Sequence, residues 1–135
     1  MPPNQDIITA LKQLYPDVQD IEWSQKGVYY VADCWVNGSE LDVWFDANAN
    51  WIMTEMEIFR EQLPAAVNTA YEESGYGDWV IDNLTKLTFP HKSEEFVFEV
   101  QRGAQERALY YSAYGGLLLE KDITDADDTH WPDVE

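Results

Sequence analysis

Residues 28–46 read VYYVADCWVNGSELDVWFD, two runs of β-forming residues joined by Asn37-Gly38. An Asn-Gly pair between two such runs is a strong hairpin signal, because both turn positions need positive φ angles that these residues tolerate. A two-residue turn pairs Val36 with Ser39 and thereby fixes every later pair of the two strands. We therefore predict an antiparallel hairpin with strands at residues 28–36 and 40–46.

The predicted register gives the hairpin two faces of different chemistry, since successive side chains on a strand point to opposite sides. The first face pairs Cys34 with Leu41, Ala32 with Val43 and Tyr30 with Phe45. Because this set is almost wholly apolar, we expect it to face the helices and form the core. The second face pairs Trp35 with Glu40, Asp33 with Asp42, Val31 with Trp44 and Tyr29 with Asp46. We expect this mixture of acids and large aromatic side chains to be open to solvent.

A second turn, DANAN at residues 46–50, leads into a further strand at residues 51–58. If Asp46 lies opposite Trp51, three carboxylates form one row across the sheet: Asp33, Asp42 and Glu55. Four large side chains then flank the row: Trp35, Trp44, Trp51 and Met53. We predict that these seven residues form a binding site, whose chemistry suits a Lys or Arg side chain or a divalent cation. The alternative is a solvated acidic face on which the tryptophans pack against one another or against the tail.

The segments around the hairpin complete a unit that occurs twice. Apolar residues at positions 7, 11 and 14 predict a helix over residues 4–15, which Asn4 caps and Pro16 ends. A short strand is predicted near residues 21–23. After residue 62, Pro64 opens a second predicted helix, and strands follow at residues 79–89, 94–101, 107–111 and 117–122.

A shift of 66 residues, which moves Phe45 onto Tyr111, aligns the two halves without a gap and matches apolar positions. We therefore predict an internal duplication. The expected fold is α+β, with two tandem helix-plus-antiparallel-meander repeats, helices packed on one face of the sheet and the other face open. We expect one domain over residues 1–123, with repeats at about 4–60 and 61–123 that share a core. An acidic C-terminal tail is predicted at residues 124–135.

The charge of the chain restricts its partners. Among 135 residues, 26 Asp and Glu stand against 8 Lys and Arg, giving a formal net charge of −18. Such a surface repels nucleic acid and anionic lipid and favours basic partners or cations, although solubility is its simplest role. The sequence has no apolar run long enough to span a bilayer, so we predict no membrane insertion.

The sequence lacks the patterns that carry catalysis. His91 lies in a turn-like segment after Pro90, His130 lies in the predicted tail, and Cys34 fits the apolar alternation as a small buried residue. Zinc-protease, phosphate-loop and nucleophile-elbow motifs are missing from the sequence. We therefore predict that the protein is not an enzyme and has no catalytic residues, cofactor or metal site.

Four segments resemble the PepSY-like proteins, which are small exported bacterial proteins with a β-lactamase-inhibitor-protein-like fold. They are Tyr15-Pro16, residues 37–41 (NGSEL), residues 45–51 (FDANANW) and their echo at residues 109–117 (LYYSAYGGL). The chain departs from the family pattern at Asn50, where a glycine turn is usual. The resemblance implies the tandem α+β architecture, no settled activity and a periplasmic or cell-surface location. The first residues lack the basic and apolar regions of a signal peptide, so this location requires that a leader was removed.

These observations together favour a non-enzymatic binding or inhibitory module that uses the acidic, aromatic face to bind a protein or peptide with basic groups. One alternative is an acidic decoy or immunity-type protein that captures a basic partner through net charge. The other is a carboxylate-dependent hydrolase, which needs two acids roughly 5–10 Å apart in a cleft.

Overall fold

The structure is a computed structural model and describes residues 3–125. Within these residues, two α helices and eight antiparallel β strands confirm the predicted α+β class. They are α1 (Gln5–Leu14), β1 (Gln19–Lys26), β2 (Tyr29–Val36), β3 (Ser39–Phe45), β4 (Trp51–Glu57), α2 (Ala65–Glu72), β5 (Val80–Thr88), β6 (Glu95–Arg102), β7 (Gln105–Ser112) and β8 (Leu117–Asp122). A single 3-10 turn at Arg60–Gln62 precedes α2.

The chain divides into two compact units. The first extends to Met56 and also holds Thr88–Lys92, and the second holds Glu57–Leu87 and the residues from Ser93 onward. The change of unit near residue 56 lies close to the predicted start of the second repeat. The shared core of the two predicted repeats stays a prediction.

In the first unit, α1 covers one face of an antiparallel meander formed by β1 to β4. The helix begins after Asn4, whose side-chain oxygen accepts a hydrogen bond from the Ile7 amide at 3.0 Å, as predicted for a cap. The apolar stripe of the helix packs on the face that the hairpin register assigned to the core. The buried residues of this cluster are Ile7, Leu11, Ala32, Cys34, Leu41, Val43 and Phe45.

A polar side chain, that of Thr54, is buried in the core of the first unit and forms hydrogen bonds there. Thr54 is buried on β4, and its hydroxyl group shares a hydrogen bond of 2.9 Å with the Tyr15 hydroxyl group. The Trp51 Nε1–H donates to the same Thr54 oxygen at 3.0 Å. Since a buried polar group without partners costs stability, these two bonds allow a threonine inside the core.

The β2–β3 hairpin has the predicted register along its whole length, from Val36 opposite Ser39 to Tyr30 opposite Phe45. Asn37 and Gly38 have φ angles of 52° and 83°, as the turn requires. The predicted pairing of Asp46 with Trp51 is wrong. The Asp46 amide donates to the Asn50 carbonyl at 3.0 Å, which closes the turn one residue earlier than expected.

The tighter turn introduces a β-bulge between β3 and β4. Trp44 lies opposite Met53 as predicted, but Phe45 lies opposite Trp51, so Ile52 is the extra residue. The bulge moves Trp51 to the helix-covered face, where it packs against the core cluster.

The second unit has the same internal plan. α2 packs against the meander of β5 to β8, and the Tyr71 ring stacks on the Phe98 ring with centroids 4.1 Å apart and an interplanar angle of 3°. Adding 66 to the β3–β4 pairs gives the β7–β8 pairs, Tyr110 opposite Leu119 and Tyr111 opposite Leu117, with the bulge now at Leu118. These equal registers support the predicted duplication, which stays a prediction.

The first residue of the predicted C-terminal tail contacts the second unit. Thr124, the first residue of the predicted tail, accepts a hydrogen bond from the Glu106 amide at 3.0 Å and so attaches to β7. Residues 126–135 of that tail lie outside the described residues. Within residues 3–125, no helix is long and apolar enough to cross a membrane.

A close backbone approach in the second unit requires glycine at position 115. Gly115 has a φ angle of 86°, and a Cβ atom at this position would lie 2.6 Å from the carbonyl oxygen of Ala66 on α2. Gly103 also has a positive φ, 62°, but a Cβ atom there would meet nothing within 4 Å. An alanine at either position would strain the backbone, but only an alanine at position 115 would also clash with α2.

We expect Gly115→Ala to lower the free energy of unfolding by about 2–4 kcal/mol, because the helix must move away in addition to the backbone strain. The control Gly103→Ala is expected to cost only about 1 kcal/mol. Urea denaturation monitored by circular dichroism measures both values. Equal losses for the two variants would contradict a clash with α2.

Candidate functional site

The predicted row of carboxylates exists in the first unit. Asp33 lies opposite Asp42, as the hairpin register requires. Asp42 lies opposite Glu55 as predicted, because the bulge at Ile52 restores the register that the tighter turn changes. Strand β1 adds a fourth acid, because Glu22 lies opposite Asp33. We call these four residues the acidic row.

Sequence reasoning missed Glu22 because β1 is irregular at its start. The pairing of β1 with β2 shifts between Gln19 and Glu22, and Asp20 takes a φ angle of 55°. Positive φ is uncommon outside glycine, although Asp tolerates it better than most residues. The turn at Gly27 was the signal that could have identified Glu22. It pairs Lys26 with Tyr29, and this pairing fixes the register of β1 on β2 as far as Glu22.

The expectation that Trp44 and Met53 are exposed is wrong, because each side chain is only 1% exposed. The Trp44 Nε1–H donates to the Glu55 Oε1 at 2.6 Å. The Lys26 ammonium group lies 5.6 Å from the centre of the Trp44 ring, and the Tyr29 ring meets it edge-on at 5.7 Å. Trp44 is therefore a packed part of the face, and its indole holds one carboxylate of the acidic row.

The other two predicted tryptophans lie in different surroundings. Trp51 lies on the helix-covered face because of the bulge at Ile52, so the structure does not bring it to the acidic row. Trp35 is 42% exposed and lies opposite the exposed Glu40 at the end of the β2–β3 hairpin. Of the four predicted large flanking residues, Trp35 alone offers substantial apolar surface beside the acids.

Electrostatic repulsion acts within the acidic row. Burial, followed by the charge of Asp33, raises the pKa of the half-buried Asp42, while Lys26 partly opposes this effect. Burial and then the charges of Asp33, Asp42 and Glu40 raise the pKa of Cys34 to about 11. The thiol therefore stays protonated at neutral pH and behaves as the small core residue that the sequence predicted.

Within residues 3–125, no group of three or more His, Cys, Asp or Glu side chains is placed to hold a metal ion. His91 is exposed after β5, and His130 lies outside the described residues. The divalent-cation alternative thus gains no support from the geometry of the described residues.

Comparison with known proteins places the chain in a family. The family model described as "Putative beta-lactamase-inhibitor-like, PepSY-like" matches residues 28–119, which hold every residue of the acidic row except Glu22. The chain belongs to the PepSY-like family. No curated protein matches it.

Solved structures share this PepSY-like fold. A BLIP-like protein from Bacteroides fragilis is 55% identical, with a TM-score of 0.92 over 99% of this chain and 96% of that chain. A protein from Bacteroides eggerthii, described as a putative periplasmic protein, is 30% identical, with a TM-score of 0.89 over 95% and 94%. A DUF2874 family protein from Bacteroides ovatus is 29% identical, with a TM-score of 0.90 over 95% and 93%.

The burial of Trp44 predicts a large effect on stability. We expect Trp44→Ala to lower the free energy of unfolding by about 3–5 kcal/mol, because it leaves a cavity and removes a hydrogen bond to Glu55. The control Trp35→Ala is expected to cost less than about 1 kcal/mol. Chemical denaturation of both variants tests this ranking, and a stable Trp44→Ala protein would show that the residue lies on an open surface.

Two aspartates of the first unit are expected to respond to pH with opposite signs. The folded pKa of Asp42 is raised, so the stability linked to its protonated form is present below the unfolded pKa of about 3.9 and is lost as pH rises through the folded pKa. Asn at position 42 removes this penalty. We expect Asp42→Asn to raise the free energy of unfolding by up to about 1 kcal/mol at neutral pH, with the gain vanishing near pH 3.

Asp46→Asn is the matched control. Although burial alone would raise it, the pKa of Asp46 is lowered by hydrogen bonds from Asn50 and Asn48. Its stabilising contribution is present above the unfolded pKa and is lost as pH falls through the folded pKa. Asp46→Asn is therefore expected to destabilise at neutral pH, with a smaller difference in acid. Urea titrations across pH measure both profiles, and a loss above about 1.5 kcal/mol for Asp42→Asn would mean that its carboxylate satisfies buried donors.

Proposed function

We propose that this PepSY-like protein is a non-enzymatic binding module whose acidic row, with Trp35 and Glu40 beside it, holds a protein or peptide segment that carries Lys or Arg. The observation that supports this most is the placement of four carboxylates side by side across four strands. Like charges directly opposite on a sheet destabilise it. Glu55 accepts a hydrogen bond from the Trp44 indole, whereas Asp33 and Asp42 face each other, and a basic ligand would relieve the repulsion between them.

The charge balance at Asp42 gives further support. The pKa of Asp42 stays raised although Lys26 opposes the shift, so this lysine offsets only part of the effect of burial and of the charge of Asp33. A guanidinium or ammonium group from a partner would supply further positive charge. Charge-assisted hydrogen bonds to half-buried carboxylates are stronger than those to fully solvated ones.

Trp35 supplies the apolar part of the proposed surface. Its side chain is 42% exposed beside the row, and an indole face attracts cations as well as apolar groups. The sequence assigned Trp44 and Met53 to the same site. Both are buried, so they pack within the protein and offer no surface to a ligand. Trp51 has no place in the proposed surface because it lies on the helix-covered face.

The family supports a binding role and an extracytoplasmic location. The matching family model is described as beta-lactamase-inhibitor-like, and a 55% identical structure is described as BLIP-like. The Bacteroides eggerthii neighbour is described as periplasmic. We therefore place the proposed activity in the periplasm or at the cell surface, with inhibition of a basic partner as one form that binding would take.

The competing function is diffuse capture by net charge, in which the whole surface of charge −18 attracts a basic partner. Capture of this kind weakens strongly when salt shortens the screening length to about 8–10 Å. Binding at a defined surface with an aromatic contact is expected to keep a measurable affinity in the same buffer. Salt and surface variants together therefore distinguish the two.

The test selects displayed random peptides on the immobilised protein at physiological salt and measures affinities of the enriched peptides by calorimetry. We expect enrichment of Arg, Lys and aromatic residues, and a loss of about tenfold or more with Trp35→Ala or with Asp33→Asn plus Asp42→Asn. Because Asp42→Asn is expected to strengthen the fold, weaker binding would not reflect unfolding.

The matched control removes the same number of charges from an exposed helix surface. Glu72→Gln plus Glu73→Gln at the end of α2 is expected to leave the affinity within about twofold. An equal loss in this control would favour capture by net charge. Failure to enrich any basic peptide would exclude the proposed role of the acidic row.

A further inference from the structure

The last strand of the second unit has an unusual edge. β8 pairs with β7, and within residues 3–125 no strand lies on its other side. Three consecutive leucines on this strand, Leu117, Leu118 and Leu119, are 52%, 54% and 40% exposed. An exposed apolar edge strand is a template for pairing with another chain, and proteins ordinarily protect such edges.

The β-bulge places apolar side chains on both faces of this edge. Leu117 lies opposite Tyr111, on the face that α2 covers, whereas Leu119 lies opposite Tyr110 on the other face. Leu118 is the extra residue between them. An added strand covers both faces at once, because its own side chains alternate, whereas a helix or a flat surface would cover only one.

Strands β1 and β4 differ from β8 in side-chain chemistry and exposure. In β1, which is the edge strand of the first unit, a register shift and the positive φ of Asp20 interrupt the edge, and its side chains are mostly polar. In β4, the three residues that the shift of 66 aligns with these leucines are less exposed. Trp51 and Ile52 are half-buried, and Met53 is 1% exposed.

We propose that β8 binds an extended segment of a partner protein by strand addition, and that this segment combines apolar residues with Lys or Arg. The charge of the protein selects this occupant. A second copy of the chain would bring a net charge of −18 against an equal charge, which opposes self-association, whereas a basic segment is attracted.

Two of the three charged groups of β8 agree with this occupant, and the third, Lys121, lies 5.0 Å from the centre of the Tyr110 ring. Glu120 accepts a hydrogen bond from the Tyr76 hydroxyl group at 2.6 Å, and Asp122 forms a salt bridge of 3.2 Å with Arg107. Both carboxylates are exposed and able to meet a further cation. This surface is in the second unit and shares no residue with the acidic row, so the inference does not rest on the function proposed above.

The test uses a labelled peptide of alternating valine and lysine that is as long as β8, with acetylated and amidated ends. Amide NMR spectra of the protein locate the bound peptide, and fluorescence anisotropy measures its affinity. We expect shifted signals and slower hydrogen exchange over residues 117–122. A peptide with N-methyl groups on alternate amides, which removes its donors, is expected to bind at least about tenfold more weakly.

Leu118→Thr plus Leu119→Thr removes the apolar contacts but keeps residues that favour strands. We expect this variant to bind the peptide on the order of tenfold more weakly. Val80→Thr is the control, because Val80 is a strand residue of the same unit and is 63% exposed. It is expected to bind like the wild type, and circular dichroism shows whether each variant is folded.

Two results of the binding measurements would overturn the inference: equal binding of the N-methylated peptide, or no binding at millimolar peptide. In the NMR spectra, signal shifts at Asp33 and Asp42 in place of β8 would also overturn it. So would self-association of the wild type that the leucine variant abolishes. The last result would assign the edge to a second copy. Trp35→Ala is expected to leave peptide binding at β8 unchanged, so failure here and failure of the acidic row are distinguishable.

Discussion

The first unit depends on the register that the Asn37-Gly38 turn imposes on β2 and β3. With both residues at positive φ, Val36 pairs with Ser39, and every later pair follows. A slip of one residue would turn Cys34 and Val43 away from α1 and bring the acids into the core. The same turn thus determines where the helix packs and where the acidic row lies.

Two aspartates of the first unit affect the stability of the fold in opposite directions. Asp42 and Asp46 lie on or next to the same strand, yet the pKa of Asp42 is raised and the pKa of Asp46 is lowered. The difference is in the partners: Asp46 accepts three hydrogen bonds from its own turn, whereas Asp42 faces another carboxylate. An aspartate that strengthens the fold therefore lies beside one that weakens it, and such a conflict between local chemistry and fold is typical of functional surfaces.

The same β-bulge occurs in both units, but its neighbouring side chains have different surroundings. The bulge at Ile52 and the bulge at Leu118 occupy equivalent positions and place their neighbours on the same faces. In the first unit the neighbours are covered, and Trp51 joins the core through Thr54. In the second unit the neighbours are exposed leucines. The surroundings of the bulge, rather than the bulge itself, determine whether its neighbours are packed or exposed.

The amino-acid sequence predicted the α+β class, the order of the elements, the β2–β3 register and the pairing of Asp33 with Asp42. It also predicted the burial of Cys34. These features follow from turn residues and from the alternation of side chains along a strand, which act between near neighbours in the chain.

Which large side chains reach the surface depends on contacts between strands. The burial of Trp44 depends on Lys26, Tyr29 and Glu55, which come from three other strands. The side on which Trp51 lies depends on one backbone hydrogen bond between Asp46 and Asn50, because a bulge of one residue reverses the facing of the neighbouring strand residues. Exposure is set by groups distant in sequence, and periodicity within one strand carries no information about them.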